Sequence, residues 1–335
     1  MTRTSLPTVA VLVLNAGERQ DVKTCLSSLD AQNYPRDRFQ INVVDAQPRE
    51  RAVACNDAIG RCDHDFVALI GSDARADPRW LAEMVSAADR HHASAVAAKI
   101  LDRSGETVDF AGGTVSFTGH ASGAGFGQPR TGAQSGDPLL FPCGESALIA
   151  RAAFLEAGGF DEDFFGCLDD VDLGWRLNTL GHTVVFAPGA VTYRRSHRAP
   201  SGWARIRQGR LLERNALAMI YKNYEPATFA RVFPVAVALS LMRGLTRSGV
   251  DTLTLNLSSQ PAETVDVAPE LVAHLIALED FHRQLPVLRV KRAFVQERRR
   301  RSDAARRCPL RPRSLPARDF PSAAPRGPIS PCSVR

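Results

Sequence analysis

The sequence predicts an α/β fold in which a mostly parallel sheet is flanked by helices, followed by a C-terminal helical appendage and a disordered tail. Three observations carry this. Thr8 to Leu14, TVAVLVL, is a near-continuous valine-rich run, the pattern of a strand buried on both faces. A helical segment, Asp21 to Leu29, and a second apolar run, Phe39 to Val44, follow at the spacing of a βαβ unit, which implies parallel strands and a crossover helix. The chain has 335 residues, 44% of them hydrophobic, enough for one large core with an appendage.

Each element has its own signal. Asn15-Ala16-Gly17 breaks the first strand, and Val22, Cys25, Leu26 and Leu29 share one face of the helix that follows. Ala31 to Pro35 turns the chain into the second strand, which ends at Asp45. Arg51 to Gly60 is a short helix, and Phe66 to Ile70 is a strand running into Gly71-Ser72-Asp73. Asp77 caps the next helix, with Pro78 in its first turn, where a missing N–H costs nothing. Its apolar stripe is Trp80, Leu81, Met84, Val85 and Ala88, and His91-His92 reads as its solvated end.

Ala95 to Leu101 is another strand. Residues 104–138, rich in glycine, serine and proline, form a long loop or meander, longer than connection alone requires. Ala147 to Ala150 and Thr183 to Ala187 are strands, and Gly209 to Tyr224 is a helix. Phe229 to Leu245 is an apolar, proline-containing helix whose apolar run of about 14 residues falls short of the ~20 that span a bilayer. Leu271 to Leu285 and Val287 to Arg301 are expected to be a helical pair joined by Pro286, and disorder is expected from Arg306 onward.

The net charge of +6 is uneven: arginine is dense from Arg289 onward, and the rest is close to neutral, so the core is not expected to bind nucleic acid. Seven cysteines, an odd number with no C-x-x-C, argue against a disulfide framework or a zinc site and fit reduced thiols in a cytoplasm. Met1 to Pro7 does not read as a signal peptide, because polar residues and a proline precede the first apolar run.

The stretch that carries chemistry is Gly158 to Gly181, GGFDEDFFGCLDDVDLGWRLNTLG. Six acids fall within twelve residues: Asp161, Glu162, Asp163, Asp169, Asp170 and Asp172. A helix follows, with Leu173, Leu177 and Leu180 on one face, Asp169 or Asp170 placed as N-cap and Gly181 as stop. Capping and the helix dipole account for one or two of these acids. Three carboxylates within four residues repel one another, so a cation or a proton should compensate them. The functional alternative is a general base beside a metal or diphosphate site.

The segment Gly158 to His182, with its G-G-F-D-E-D-F-F run and D-D-V-D-L-G-W-R-L helix, resembles the acceptor-side motif of family 2 glycosyltransferases, which have the GT-A fold. The resemblance extends upstream to Cys143-Gly144 and downstream to Glu213-Arg214-Asn215-Ala216-Leu217, and it stops near Asp303. It is closest to bacterial, especially actinobacterial-looking, enzymes. The resemblance implies that Asp170 is the catalytic base, with Asp169 in the place of the usual glutamate. It places the nucleotide-sugar donor against Leu14, Asn15, Asp45, Asn56, Ser72 and Asp73, although the usual Asn-x-Ser after Asp45 is absent. Gly71-Ser72-Asp73 stands at the family's D-x-D site, keeping only the last acid. Asp73 and His197 are thereby implied as ligands of a divalent cation, magnesium or manganese, and Arg194 or Arg195 as an alternative partner of the diphosphate. Glu145 stands where family members carry small residues against the donor sugar.

The domain expectation is a catalytic domain over residues 1–225, a helical appendage over 226–303 and an Arg/Pro-rich disordered tail over 304–335. The functional expectation is an inverting glycosyltransferase moving a sugar from a nucleotide-diphosphate donor to a glycan or lipid-linked acceptor in cell-envelope synthesis. It would be cytoplasmic, with peripheral membrane contact through the 229–245 helix and Arg231, Arg243 and Arg247. A non-catalytic nucleotide-sugar-binding scaffold is the alternative, favoured by Gly71, the altered Asp45 loop and Glu145. A nucleotidyltransferase would want a basic glycine-rich loop after the first strand, for which Asn15-Ala16-Gly17-Glu18-Arg19 is a poor substitute.

Overall fold

The computed structural model describes residues 6–15, 19–45, 47, 50–132, 138–194, 201–248 and 268–305. Along the chain these form β1 (Val9–Asn15), α1 (Arg19–Asp30), β2 (Phe39–Asp45), α2 (Arg51–Arg61), β3 (Phe66–Gly71), β4 (Ala74–Ala76), α3 (Trp80–Arg90) and β5 (Ala95–Asp102). Then come β6 (Val108–Phe110), β7 (Gly113–Val115), β8 (Ala121–Gly123), β9 (Pro138–Leu139), β10 (Ser146–Ala150), α4 (Arg151–Glu156), α5 (Asp169–Thr179) and β11 (Val184–Arg194). Three long helices follow: α6 (Gly202–Asn223), α7 (Pro226–Ser248) and α8 (Pro269–Glu297).

The central sheet has the order β2-β1-β3-β10-β5-β11-β4. Parallel pairing holds for β1 with β2 and β3 and for β5 with β11, while β10 is antiparallel to both its neighbours. Alternation along β1 explains the valine-rich run. Val9, Val11 and Val13 pack on one face against Cys25, Leu29, Trp80, Leu81 and Met84 of α1 and α3. Ala10, Leu12 and Leu14 pack on the other against Cys55 and Ile59 of α2 and Leu173 and Leu177 of α5. Both faces are covered, so no polar alternation survives. The parallel register brings Asn15 opposite Asp45 and Leu14 opposite Gly71, so three strand ends share one edge of the sheet. That edge is where open α/β sheets bind ligands.

The long 104–138 stretch is partly structured: β6 pairs with β5, and β7–β8 form a hairpin. Val108 and Val115 are buried there, so the segment holds more core than its composition suggests. β11 extends well past the expected end at Ala187, with a register shift between Ala187 and Val191 that re-aims its last residues onto β4.

Two helical expectations are corrected. Residues 269–297 form one helix through Pro286, not a pair. A proline inside a helix costs about 3 kcal/mol. Ala277, Phe281, Leu288 and Val295 lie buried on both sides of it, and Phe281 and Leu288 join the cluster of Trp175, Met219 and Ile220. Breaking the helix would forfeit that continuous seam, so packing overrides the local preference. The apolar helix is also longer than its run implied: Pro226–Thr246 has 21 residues of hydropathy 1.4, long and apolar enough to cross a membrane by length and composition. Within the molecule, Phe229, Val232 and Phe233 of α7 turn inward onto the same cluster. Residues 306–335, where disorder was expected, lie outside the described residues.

Candidate active site

The three crowded carboxylates of α5 are sorted by their cations. Asp169 is buried, and Arg51 Nη1 approaches its Oδ1 and Oδ2 at 3.2 and 3.3 Å. Asp172 is fully buried; it accepts from Arg176 Nε at 2.8 Å, Lys222 Nζ at 3.0 Å and Asn223 Nδ2 at 3.0 Å. Asp170 keeps a partly exposed edge and has no ion pair of its own among the described residues. Its Oδ2 accepts from Gly144 N at 2.8 Å and its Oδ1 from Val171 N at 2.8 Å. Burial first, and the neighbouring Asp169 second, push the Asp170 carboxyl up to about 6, with Arg51 and the two N–H groups opposing. Each carboxylate oxygen still has lone-pair capacity beyond its one backbone bond.

The N-cap expectation is corrected. Leu168, in the left-handed region at φ 64, occupies the cap, and Asp169 and Asp170 lie inside the first turn. There Asp169 Oδ1 accepts from Asp170 N and Asp170 Oδ1 from Val171 N, so the acids still serve the helix's orphan donors. Phe165 also has a positive φ of 50. Two non-glycine residues in that region are strained and persist only where neighbours over-determine them. α6 does this: Asn215 Nδ2 donates to Phe164 O at 2.8 Å and Cys167 O at 2.7 Å, and Arg214 Nη2 donates to Asp163 O at 2.5 Å.

Upstream, Asp161 is fixed by Lys222 and by Lys291, whose Nζ lies 2.5 Å from Oδ1 and 2.6 Å from Asp163 Oδ2. Burial alone would raise the Asp161 carboxyl, yet the two ammonium groups hold it well below the usual range. Lys291 belongs to α8, so the C-terminal helix grips the acidic loop directly. Past its end, Arg301 donates to the His182 carbonyl at 2.7 Å, and Arg300 N donates to Thr179 O at 2.9 Å, closing the C-terminus of α5.

The other half of the site lies at the sheet edge. Ser72 N donates to Leu14 O at 3.0 Å, and Gly71 N to Glu145 O at 3.1 Å, so Leu14, Asn15, Asp45, Ser72 and Asp73 come together there. Asp45 is exposed, while Asn15 Oδ1 is buried without a hydrogen-bond partner among the described residues. Asn56 is placed differently: its amide donates to Phe160 O and Glu162 Oε1 and accepts from Phe160 N at 2.8 Å, which staples α2 to the acidic loop. His197 and Arg195 lie outside the described residues. Arg194 is buried, with Nε 2.8 Å from Asp109 Oδ2 and Nη1 3.7 Å from Glu145 Oε2.

Cys143-Gly144-Glu145 joins the two halves. Gly144 N binds Asp170, and the Glu145 side chain faces Asp73 across Gly71. A Cβ at Gly144 would meet Arg51 Nη2 at 2.1 Å, so only glycine lets the guanidinium pass to Asp169 and to the Gly144 carbonyl. Asp73 Oδ1 and Glu145 Oε2 both lie within 3 Å of where a Cβ on Gly71 would stand. Two hard oxygen donors suit a magnesium or manganese ion that keeps waters and gains diphosphate oxygens, so the residues present fit such an ion. Among the described residues no group of three or more His, Cys, Asp or Glu side chains forms a complete cage. The five cysteines of the described residues are free.

Sequence reasoning missed Arg51, Arg176, Lys222 and Lys291. Arg176 had a signal, standing four residues after Asp172 on the same helix. The other three reach the acids across tertiary contacts, with no local signal.

Known proteins share this fold and parts of this sequence. The chain is 38% identical over 122 residues to the O-antigen biosynthesis protein RfbC of Myxococcus xanthus, covering 32% of this chain and 9% of that protein. It is 41% identical over 61 residues to the N-acetylglucosaminyl-diphospho-decaprenol L-rhamnosyltransferase of Mycobacterium tuberculosis, covering 18% of this chain and 20% of that one. The matches thus span a fifth or less of these relatives. Among solved structures, the mannosyltransferase PcManGT from Pyrobaculum calidifontis, in complex with GDP-Man and Mn2+, superposes with a TM-score of 0.51 at 18% identity, over 88% of this chain and 87% of that chain. TarS of S. aureus gives a TM-score of 0.51 at 14% identity, over 87% and 54%. The fold is that of the GT-A glycosyltransferases. Residues 5–210, more than half of the chain, match the family model described as Glycosyltransferase like family 2, and the chain belongs to that family.

Proposed function

We propose that the protein is an inverting glycosyltransferase that moves a sugar from a nucleoside-diphosphate donor to a hydroxyl of a glycan or lipid-linked acceptor of the cell envelope. The observation that carries this is Asp170. Its carboxylate is oriented by two backbone N–H groups, lacks an ion pair among the described residues, and has its pKa pushed up to about 6. Such a base is ionised at neutral pH yet stronger than an ordinary aspartate. It takes the proton of the acceptor hydroxyl as that oxygen attacks the anomeric carbon from the face opposite the leaving group. Asp169 keeps the local field negative, and Arg51 prevents that field from protonating Asp170 outright.

At the sheet edge, Leu14, Asn15, Asp45 and Ser72 line the donor's nucleoside, and Asp73, with His197, holds a divalent cation. When bound, that cation offsets the charge developing on the departing diphosphate. Residues 1–225 carry the chemistry, and the 226–303 appendage buttresses the acidic loop through Lys291. A non-catalytic scaffold would have no use for an aspartate held ionised against burial. The relatives' names support an envelope glycan, and the rhamnosyltransferase supports a lipid-linked acceptor and a deoxyhexosyl donor. Val235 and Met242 on α7, with Val272 and Leu275 on α8, are exposed apolar side chains suited to peripheral contact at the cytoplasmic face of the membrane.

Donor turnover tests the proposal. UDP-, GDP- and dTDP-sugars are supplied with and without manganese, and nucleoside diphosphate release is followed. Cation-dependent release that Asp170→Asn abolishes is the expected result. Nucleotide-sugar binding with no release in the presence of envelope acceptors would favour the scaffold.

A further inference from the structure

Gly71 occupies the position at which family members carry a first acid, and it has no side chain to offer. The space beside it is filled from the segment entering another strand. Glu145, which directly precedes β10 and whose carbonyl accepts from Gly71 N, places Oε2 2.8 Å from the point a Cβ on Gly71 would occupy, and Asp73 Oδ1 lies 2.9 Å from the same point. The two carboxylates therefore converge on the empty side of Gly71. A side chain at 71 would crowd both carboxylate ends, so Glu145 and Asp73 would have to move aside to admit it.

A second, independent feature points to what lies between them. Arg194 is 9% exposed, and its Nη1 has no hydrogen-bond partner among the described residues. That donor stands 3.7 Å from Glu145 Oε2, beyond hydrogen-bonding distance, while Nε is tied to Asp109. A buried guanidinium donor left open beside a carboxylate pair is arranged for an anionic oxygen arriving there. Asp73, Glu145 and Asp109 against Arg194 leave two negative charges, the charge of one divalent cation.

We propose that Glu145 supplies, from the segment entering the neighbouring strand, the carboxylate that Gly71 lacks, so that Asp73 and Glu145 together hold the divalent cation and Arg194 Nη1 receives an oxygen of the diphosphate bound to it. This rests on the donor-site reading above and assigns a second protein ligand within it. It also recasts Glu145, placed by sequence resemblance beside the donor sugar, as part of the cation site.

The test is Mn2+ binding to the full chain, followed by the loss of the free-ion electron paramagnetic resonance signal in the presence of UDP, GDP or dTDP. Asp73→Asn and Glu145→Gln should each weaken Mn2+ by about tenfold or more. Glu145→Ala should lose the same affinity, and adding Gly71→Asp to it should restore Mn2+ to near the wild-type level, because the new carboxylate enters the vacated space. Arg194→Gln should keep Mn2+ and weaken the nucleoside diphosphate about tenfold. Thermal unfolding confirms that each variant is folded. Mn2+ affinity unchanged in Glu145→Gln but lost in Asp73→Asn overturns the assignment of Glu145 and leaves the donor-site reading standing. A folded double variant that stays as weak as Glu145→Ala overturns the spatial substitution. A wild-type chain that binds no Mn2+ with any of the three nucleotides sinks both.

Discussion

Neutralising Asp169 isolates the electrostatics of the proposed base. In Asp169→Asn the shape at 169 is kept, but the charge next to Asp170 disappears. Arg51, now 3.2 Å from an uncharged amide, has only Asp170 and Glu145 as anionic neighbours among those acting on it. The Asp170 carboxyl is raised from 3.8 to about 6, with burial the larger cause and Asp169 the second. Removing the second cause should lower it by roughly one unit, about 1.4 kcal/mol. The sign follows: activity requires ionised Asp170, so the acid limb of kcat/KM for donor turnover lies near pH 6 in the wild type and moves down by about one unit in the variant. The plateau above it should fall severalfold, because a weaker base accepts the proton less readily. The assay is the pH profile of nucleoside diphosphate release between pH 4 and 8 on the same donor, with stability checked at each pH. An acid limb that stays in place, or moves up, would refute Asp170 as the titrating base.

Other perturbations reach the same loop from different sides. Arg51→Met should move the acid limb upward and, by leaving Asp169 buried without its cation, cost about 3–5 kcal/mol in urea unfolding. Asn215→Ala removes two hydrogen bonds to strained carbonyls; it should cost about 2 kcal/mol and lower kcat more than it raises the donor KM. Lys291→Met should cost about 1.5–3 kcal/mol at pH 7, measured as a drop in Tm, while Lys222 still neutralises Asp161. Because Asp161 is held below its unfolded pKa, the stability it contributes is present above about pH 4 and is lost as pH falls further. Acid unfolding below pH 4 should therefore be shallower in Lys291→Met.

The parts of the fold that were legible in the sequence are those in which one segment states its own environment. TVAVLVL is apolar on both faces because β1 is covered on both, and the stripe Trp80, Leu81, Met84, Val85, Ala88 is buried on one face of α3. The errors lie where distant packing decides. Pro286 reads locally as a break, but the seam from Ala277 to Val295 carries the helix through it. Asp169 or Asp170 reads locally as the cap, but the loop held by Asn215 arrives in a left-handed turn and puts Leu168 there instead. At the site, the demand for compensating cations was legible from three acids in four residues. Which cation serves which acid was not, because Arg51 is 118 residues away from Asp169 in sequence.

That sorting explains why one stretch is both a structural hub and a chemical site. Asp161, Asp169 and Asp172 each face at least one cation, and those cations come from α2, α5, α6 and α8. These ion pairs therefore tie the acidic stretch to four helices at once. Asp170 sits among them without an ion pair among the described residues, and its two N–H donors fix direction while supplying no full charge. Pairing it as well would lower its pKa and remove its basicity. Here the neighbouring ion pairs hold the frame, and Asp170, which has no ion pair among the described residues, keeps the affinity for a proton that the proposed reaction needs.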